Sequence, residues 1–127
     1  MLFRSDRRAE ALRYHAKHGY YPIMHVIAFQ KELIDAHPWL AGAVMEMWNE
    51  ASAQARAFYD DPGYATLAFA RNEFEDELAA MGGDPWTSGL AANRKNLERF
   101  IEYAHDQRLI DAPVSVEDLF HESTWKT

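Results

Sequence analysis

Four residues of this 127-residue sequence are of types and in settings suited to chemistry: His25, Trp86, Asn93 and Arg94. His25 sits in a run of aromatic, β-branched and other apolar residues. A titratable ring is costly to bury there unless it has a partner or a task, and imidazole can carry a proton either way near neutral pH. The plain alternative is a core histidine bonded to backbone. Arg94 falls near the start of a long helical pattern, four residues after Leu90, where helix dipole and guanidinium both favour an anion such as a carboxylate. Asn93 is a companion donor, because asparagine is mildly unfavourable inside a helix and is otherwise unexplained. A surface arginine is the competing reading. Trp86 follows Pro85 and can either stack on a ring or anchor packing.

Other polar groupings carry less. His15 and His18 have a spacing that one helix face could offer a metal, but no HExxH pattern or dense ligand array accompanies them. They read as a hydrated face. His37 marks a helix boundary before Pro38, His105 and His121 read as exposed, and the run Glu73, Glu75, Asp76, Glu77 reads as a solvated face.

The elements that must hold these groups are mostly helical. Residues 6–18 form a charged helix with Asp6 as N-cap and Gly19 as stop, whose thin apolar face is limited to Ala9, Leu12, Tyr14 and Ala16. Residues 20–29 read as one nearly continuous buried strand opened by Pro22. No second segment has comparable strand character, so its backbone groups need a partner outside the chain. Residues 31–36 form a turn of helix, and Pro38 opens the next one. There Leu40, Val44, Met47, Trp48, Ala51, Ala55 and Phe58 recur at helical spacing to about Tyr59, a stripe expected to build much of the core. After a turn at residues 60–63, a helix carries Leu67, Phe74, Leu78 and Met81 on one side and stops at Gly82-Gly83. Another carries Leu90, Leu97, Ile101 and Ala104, and Ser115 with Asp118 makes a capping box before a short turn ending near Phe120.

Composition narrows the function classes. Twenty acidic against thirteen basic side chains give a formal charge of −7, which argues against nucleic acid or an anionic membrane as partner. The absence of cysteine removes disulfides, thiolate metal sites and cysteine nucleophiles, and fits a cytoplasmic setting. No apolar run reaches about 18 residues, and the N-terminus lacks the apolar core of a signal peptide.

Three stretches in order are similar to the C-terminal portion of the 4,5-dihydroxyphthalate decarboxylase family: Tyr21-Pro-Ile-Met-His25, His37-Pro-Trp39, and Met81-Gly-Gly-Asp-Pro-Trp86 continuing to Gly89 and Asn93-Arg94. The tail Tyr103-Ala-His-Asp-Gln-Arg-Leu109 with Glu117-Asp-Leu-Phe120 also fits. The resemblance implies an α/β fold, part of a two-lobed type II periplasmic-binding-protein-like architecture, of which this segment is mostly α-helical with one main strand at about residues 20–29. It further implies that residues 1–127 are one C-terminal segment of a larger protein, with about 200 residues of two lobes elsewhere, by the usual size of such lobes. At residues 86–89 this sequence has Trp-Thr-Ser-Gly where relatives more often have Trp-Pro-Tyr-Gly, a change that bears on which ring is accepted.

The implied activity is decarboxylation of an aromatic carboxylate, with His25 as proton carrier, Asn93 and Arg94 as anion clamp, and Trp86 against the ring. No cofactor or metal is expected. The partners implied are the small aromatic carboxylate and the missing N-terminal lobes, or a second copy of the chain. A non-catalytic solute-binding module would keep the clamp and aromatic contacts but need no proton donor. A self-sufficient helical interaction protein is the third reading, and cooperative unfolding of a compact monomer would favour it.

Overall fold

The computed structural model describes residues 6–61 and 66–127. All regular structure among them is helical: α1 (Arg7–His18), α2 (Lys31–Ala36), α3 (Leu40–Asp60), α4 (Ala70–Met81), α5 (Leu90–Asp106), α6 (Val116–Leu119) and a 3-10 turn over Glu122–Thr124. The α/β class with a main strand at residues 20–29 is therefore corrected. Residues 21–30 have no regular secondary structure, and among the described residues no backbone-to-backbone bond outside the helices involves residues 22–29. The physical reason is the missing ladder partner: β-branched residues fit a pleated, half-buried surface only when another strand supplies the other half of the hydrogen bonds. Met24, Val26 and Ile27 are exposed instead.

The chain divides into two units, one joining the residues up to Tyr21 with Ala51–Trp86, the other joining Pro22–Glu50 with Thr87–Thr127. In the first unit, the α1 caps form where sequence chemistry puts them. Asp6 accepts from the Ala9 N–H at 2.8 Å, and Gly19 adopts φ 79° with its N–H on the His15 carbonyl at 2.7 Å. Arg8 reaches Glu73 at 3.1 Å and Asp76 at 3.4 Å on α4. These exposed pairs orient the two helices while contributing little stability. Phe74, Leu78 and Met81 share the half-buried side of α4, but Leu67 precedes the helix and is exposed. The predicted turn at residues 60–63 has Pro62 and Gly63 outside the described residues. Arg71 ties the end of α3 to α4 by donating to the Tyr59 carbonyl at 2.7 Å and to Glu75 at 2.6 Å. Tyr59 stacks on Phe74 with centroids 5.1 Å apart.

In the second unit the core sits on α5. Leu90, Leu97, Ile101 and Ala104, the four residues its periodicity selects, are all buried, and Val116 of α6 joins them. Ile23, Ile110 and Phe120 pack around this cluster. Each fully buried aliphatic side chain contributes about 1.5–3 kcal/mol relative to exposure. The Ser115–Asp118 capping box forms as the sequence predicts and starts α6.

The helix α3 has nearly the predicted bounds, starting two residues after Pro38, but not the predicted burial. None of its residues is buried, and Met47, Trp48 and Phe58 are more than half exposed. Periodicity identifies an apolar face without specifying what covers it. No helix among the described residues is long and apolar enough to cross a membrane.

Candidate functional site

The start of α5 is the best-defined polar locus of the second unit. Gly89 holds φ 102° at the entry, a left-handed value that glycine adopts without the Cβ penalty. Asn93 lies one turn into the helix and turns its amide back, donating to the carbonyls of Thr87 at 2.8 Å and Gly89 at 2.9 Å. That bonding answers why an asparagine occupies this position: it fastens the entry loop. The first helical amides are also engaged. Leu90 donates its N–H to Thr127 Oγ1 at 3.2 Å, and Ala91 donates to the Thr127 carbonyl at 2.6 Å.

Arg94 borders a shallow cavity of about 290 Å³ that Glu98, Ile101, Glu102, Val116 and Glu117 help to line. Its Nη2 lies 2.6 Å from Glu117 Oε1, while Nη1 is 3.8 Å from Glu98. The bond to Glu117 is the main cause that raises the Arg94 pKa, and the same bond lowers that of Glu117, with the Glu117 backbone amide adding to the effect. The guanidinium thus faces two carboxylates, while Glu102, a third in the cavity lining, is paired with Arg99 at 2.8 Å. Glu117 engages Nη2 of Arg94, and a carboxylate ligand at that nitrogen would compete with it.

His25 is exposed, in the segment between Ile23 and α2. The desolvation inferred from its apolar neighbours is absent in this chain, because those neighbours are exposed too. Its position is set by an anchor two residues earlier. Ile23 donates its N–H to Oδ1 of Asn96 at 3.4 Å, and Asn96, with 5% exposure, is the buried polar side chain of α5. Asn96 lies one turn beyond Asn93 on the same helix.

Trp86 belongs to the first unit and is half-exposed. Its ring lies 4.9 Å from that of Tyr21 at 57°, and its backbone N–H donates to Asp84 Oδ1 at 2.8 Å. Asp84 in turn pairs with Arg56. The tryptophan therefore has packing and turn contacts of its own, with ring surface left open.

His15 and His18 share α1, where the His18 ring lies against Tyr14 at 4.4 Å. Among the described residues, no group of three or more potential ligand side chains could hold a metal ion.

No family model matches the chain. It is similar to the 4,5-dihydroxyphthalate decarboxylase of Comamonas testosteroni, at 30% identity over 122 residues. That alignment covers 94% of this chain and 37% of the decarboxylase, so the chain spans little more than a third of the length of the curated relative it matches.

Three contributors escape a reading by local pattern. Asn96, which sequence reasoning did not single out, carries the buried amide of α5. Glu117 holds the predicted clamp arginine from 23 residues away. Thr127 occupies the amides of α5 from 37 residues away. Only Asn96 left a signal, an asparagine one position before the apolar Leu97.

Proposed function

We propose that this chain forms part of a carboxy-lyase that releases carbon dioxide from an aromatic carboxylate such as 4,5-dihydroxyphthalate, giving 3,4-dihydroxybenzoate. The observation that carries the reading is the likeness to the Comamonas testosteroni decarboxylase across 94% of this chain. Since the chain spans 37% of that protein, the activity is proposed for an assembly in which further residues complete the site.

The chemistry needs a proton at the ring carbon that bears the carboxylate. Protonation there breaks aromaticity. The carbon–carboxylate bond then cleaves, its electron pair returns to the ring, aromaticity is restored and carbon dioxide leaves. His25 is the proposed proton donor, and its exposure in the isolated chain leaves the imidazole accessible. Asn93 and Arg94 are the proposed carboxylate contacts, with Arg94 exchanging Glu117 for the substrate. The open face of Trp86 is the proposed ring contact. A base acting on the hydroxyl para to the leaving group would come from outside these residues.

The test is carbon dioxide release from 4,5-dihydroxyphthalate by this chain joined to the portion of the Comamonas testosteroni enzyme that the match leaves uncovered. A parallel assembly carries His25→Gln. Release that falls at least about a hundredfold in the variant, the usual weight of a general acid, supports the reading. Phthalate binding without release would instead point to a non-catalytic solute-binding role, and equal release by both assemblies would remove His25 from the mechanism.

A further inference from the structure

We infer that the apolar surface carried by residues 22–50 of the second unit is a docking face, and that its occupant is the equivalent of the portion of the Comamonas testosteroni decarboxylase that the match leaves uncovered. The inference rests on the assembly half of the proposed function, that further residues complete this chain, and is independent of the lyase chemistry.

The side chains of Met24, Val26, Ile27, Trp39, Met47 and Trp48 are each 57–71% exposed. Single exposed apolar residues are ordinary on a protein surface, but these come in two groups: three within four successive positions ahead of α2, and three on or directly before the first half of α3. Helical spacing sets Met47 and Trp48 on the side of the half-buried Val44, three and four residues earlier. The unit's own core makes no use of them. It is closed by Leu90, Leu97, Ile101 and Val116, with Ile23, Ile110 and Phe120 packed around them. Withdrawing such side chains from water drives association, and tryptophan and methionine are residues that interface centres favour.

Length and charge point to the occupant. The match takes in 94% of this chain but 37% of the decarboxylase, so the relative carries a long further portion able to supply the cover. A second copy fits less well. Each copy has a formal charge of −7, and Glu46 and Glu50 are exposed beside Met47 and Trp48, so two-fold pairing would gather like charges around the face. An uncharged apolar surface meets no such repulsion.

The test compares this chain alone with the chain joined to the uncovered portion of the Comamonas testosteroni enzyme, by oxidative labelling of Met24 and Met47 read by mass spectrometry, with light scattering on the isolated chain. Both methionines should be labelled at least about fivefold more slowly in the joined protein, because oxidation follows exposure. Trp48→Glu, at a position already exposed, should leave the urea midpoint of the isolated chain where it is and return Met47 labelling in the joined protein toward the isolated rate. Asn49→Glu, which puts the same charge on another side of α3, should do neither. Equal labelling of the two proteins overturns the docking face. Protection already present in the isolated chain, with scattering at twice the chain mass, overturns the occupant and assigns the face to a second copy. Protection that Trp48→Glu leaves intact overturns α3 as the contact. Protection without carbon dioxide release counts against the decarboxylase reading alone and leaves the docking face standing.

Discussion

The guanidinium of Arg94 donates to Glu117 across 2.6 Å, joining α5 to α6 at the edge of the acid-lined cavity. The pair occupies Nη2 of the guanidinium, so an anion proposed for Arg94 would compete with Glu117 there.

The pair has a pH signature with a definite sign. Glu117 has its pKa lowered in the folded chain, first by Arg94. The stabilisation is therefore present above the ordinary glutamate value of 4.5 and is lost as pH falls through the lower folded value. Glu117→Gln should lower stability at pH 7 and converge with the parent at low pH, so that the acid limb of a stability–pH profile from urea titrations flattens; the loss at pH 7 is small, because the pair is partly exposed. A variant limb as steep as that of the parent would exclude the pair as its source.

Asn96 should matter more to stability than Asn93. Its side chain is buried and receives the Ile23 N–H, whereas Asn93 fastens loop carbonyls at the surface. Asn96→Ala removes a partner from a half-buried amide and leaves a small cavity beside Leu97, a loss of about 1–3 kcal/mol. Asn93→Ala should lose about 1 kcal/mol or less. Chemical denaturation of both variants checks the order, and reversal would mean that the entry loop, not the Ile23 anchor, limits unfolding.

Gly89→Ala adds a Cβ at a left-handed backbone position and against the Thr127 main chain. The expected loss is roughly 1–3 kcal/mol, from the positive φ and the displaced Thr127 main chain together. Combining it with deletion of Thr127 should recover the clash portion and leave the φ penalty. Strict additivity in this double-mutant cycle would argue that the two residues do not touch.

Much of the helical framework is written locally. Asp6, Gly19 and the Ser115–Asp118 box act within three or four residues of themselves, so residue type alone predicts them. The spacing of Leu90, Leu97, Ile101 and Ala104 selects the buried face of α5 for the same reason. Residues 20–29 fail because strand preference is conditional on a neighbour, and α3 fails as core because an apolar stripe does not carry its own cover. The candidate site is less legible. Its residue types are visible, but the pairings of Ile23 with Asn96 and of Leu90 with Thr127 join positions 73 and 37 residues apart, beyond any local period.

Arg108 offers a further check on the end of α5. It adopts φ 58° although it is not glycine, and the surrounding bonds explain why. Leu109 donates to the Ala104 carbonyl at 2.8 Å and Arg108 to that of His105 at 2.9 Å, the paired return bonds of a helix that closes through one left-handed residue. An L side chain there carries a penalty of about 1–2 kcal/mol, partly offset in any glycine replacement by the greater freedom of the unfolded chain. Arg108→Gly should therefore stabilise by about 0.5–1 kcal/mol, and Arg108→Val should destabilise by about 1 kcal/mol or more because β-branching crowds the left-handed region further. Opposite shifts of the two midpoints in urea are the expected result. A glycine variant less stable than the parent would mean that side-chain contacts of Arg108 outweigh the backbone strain.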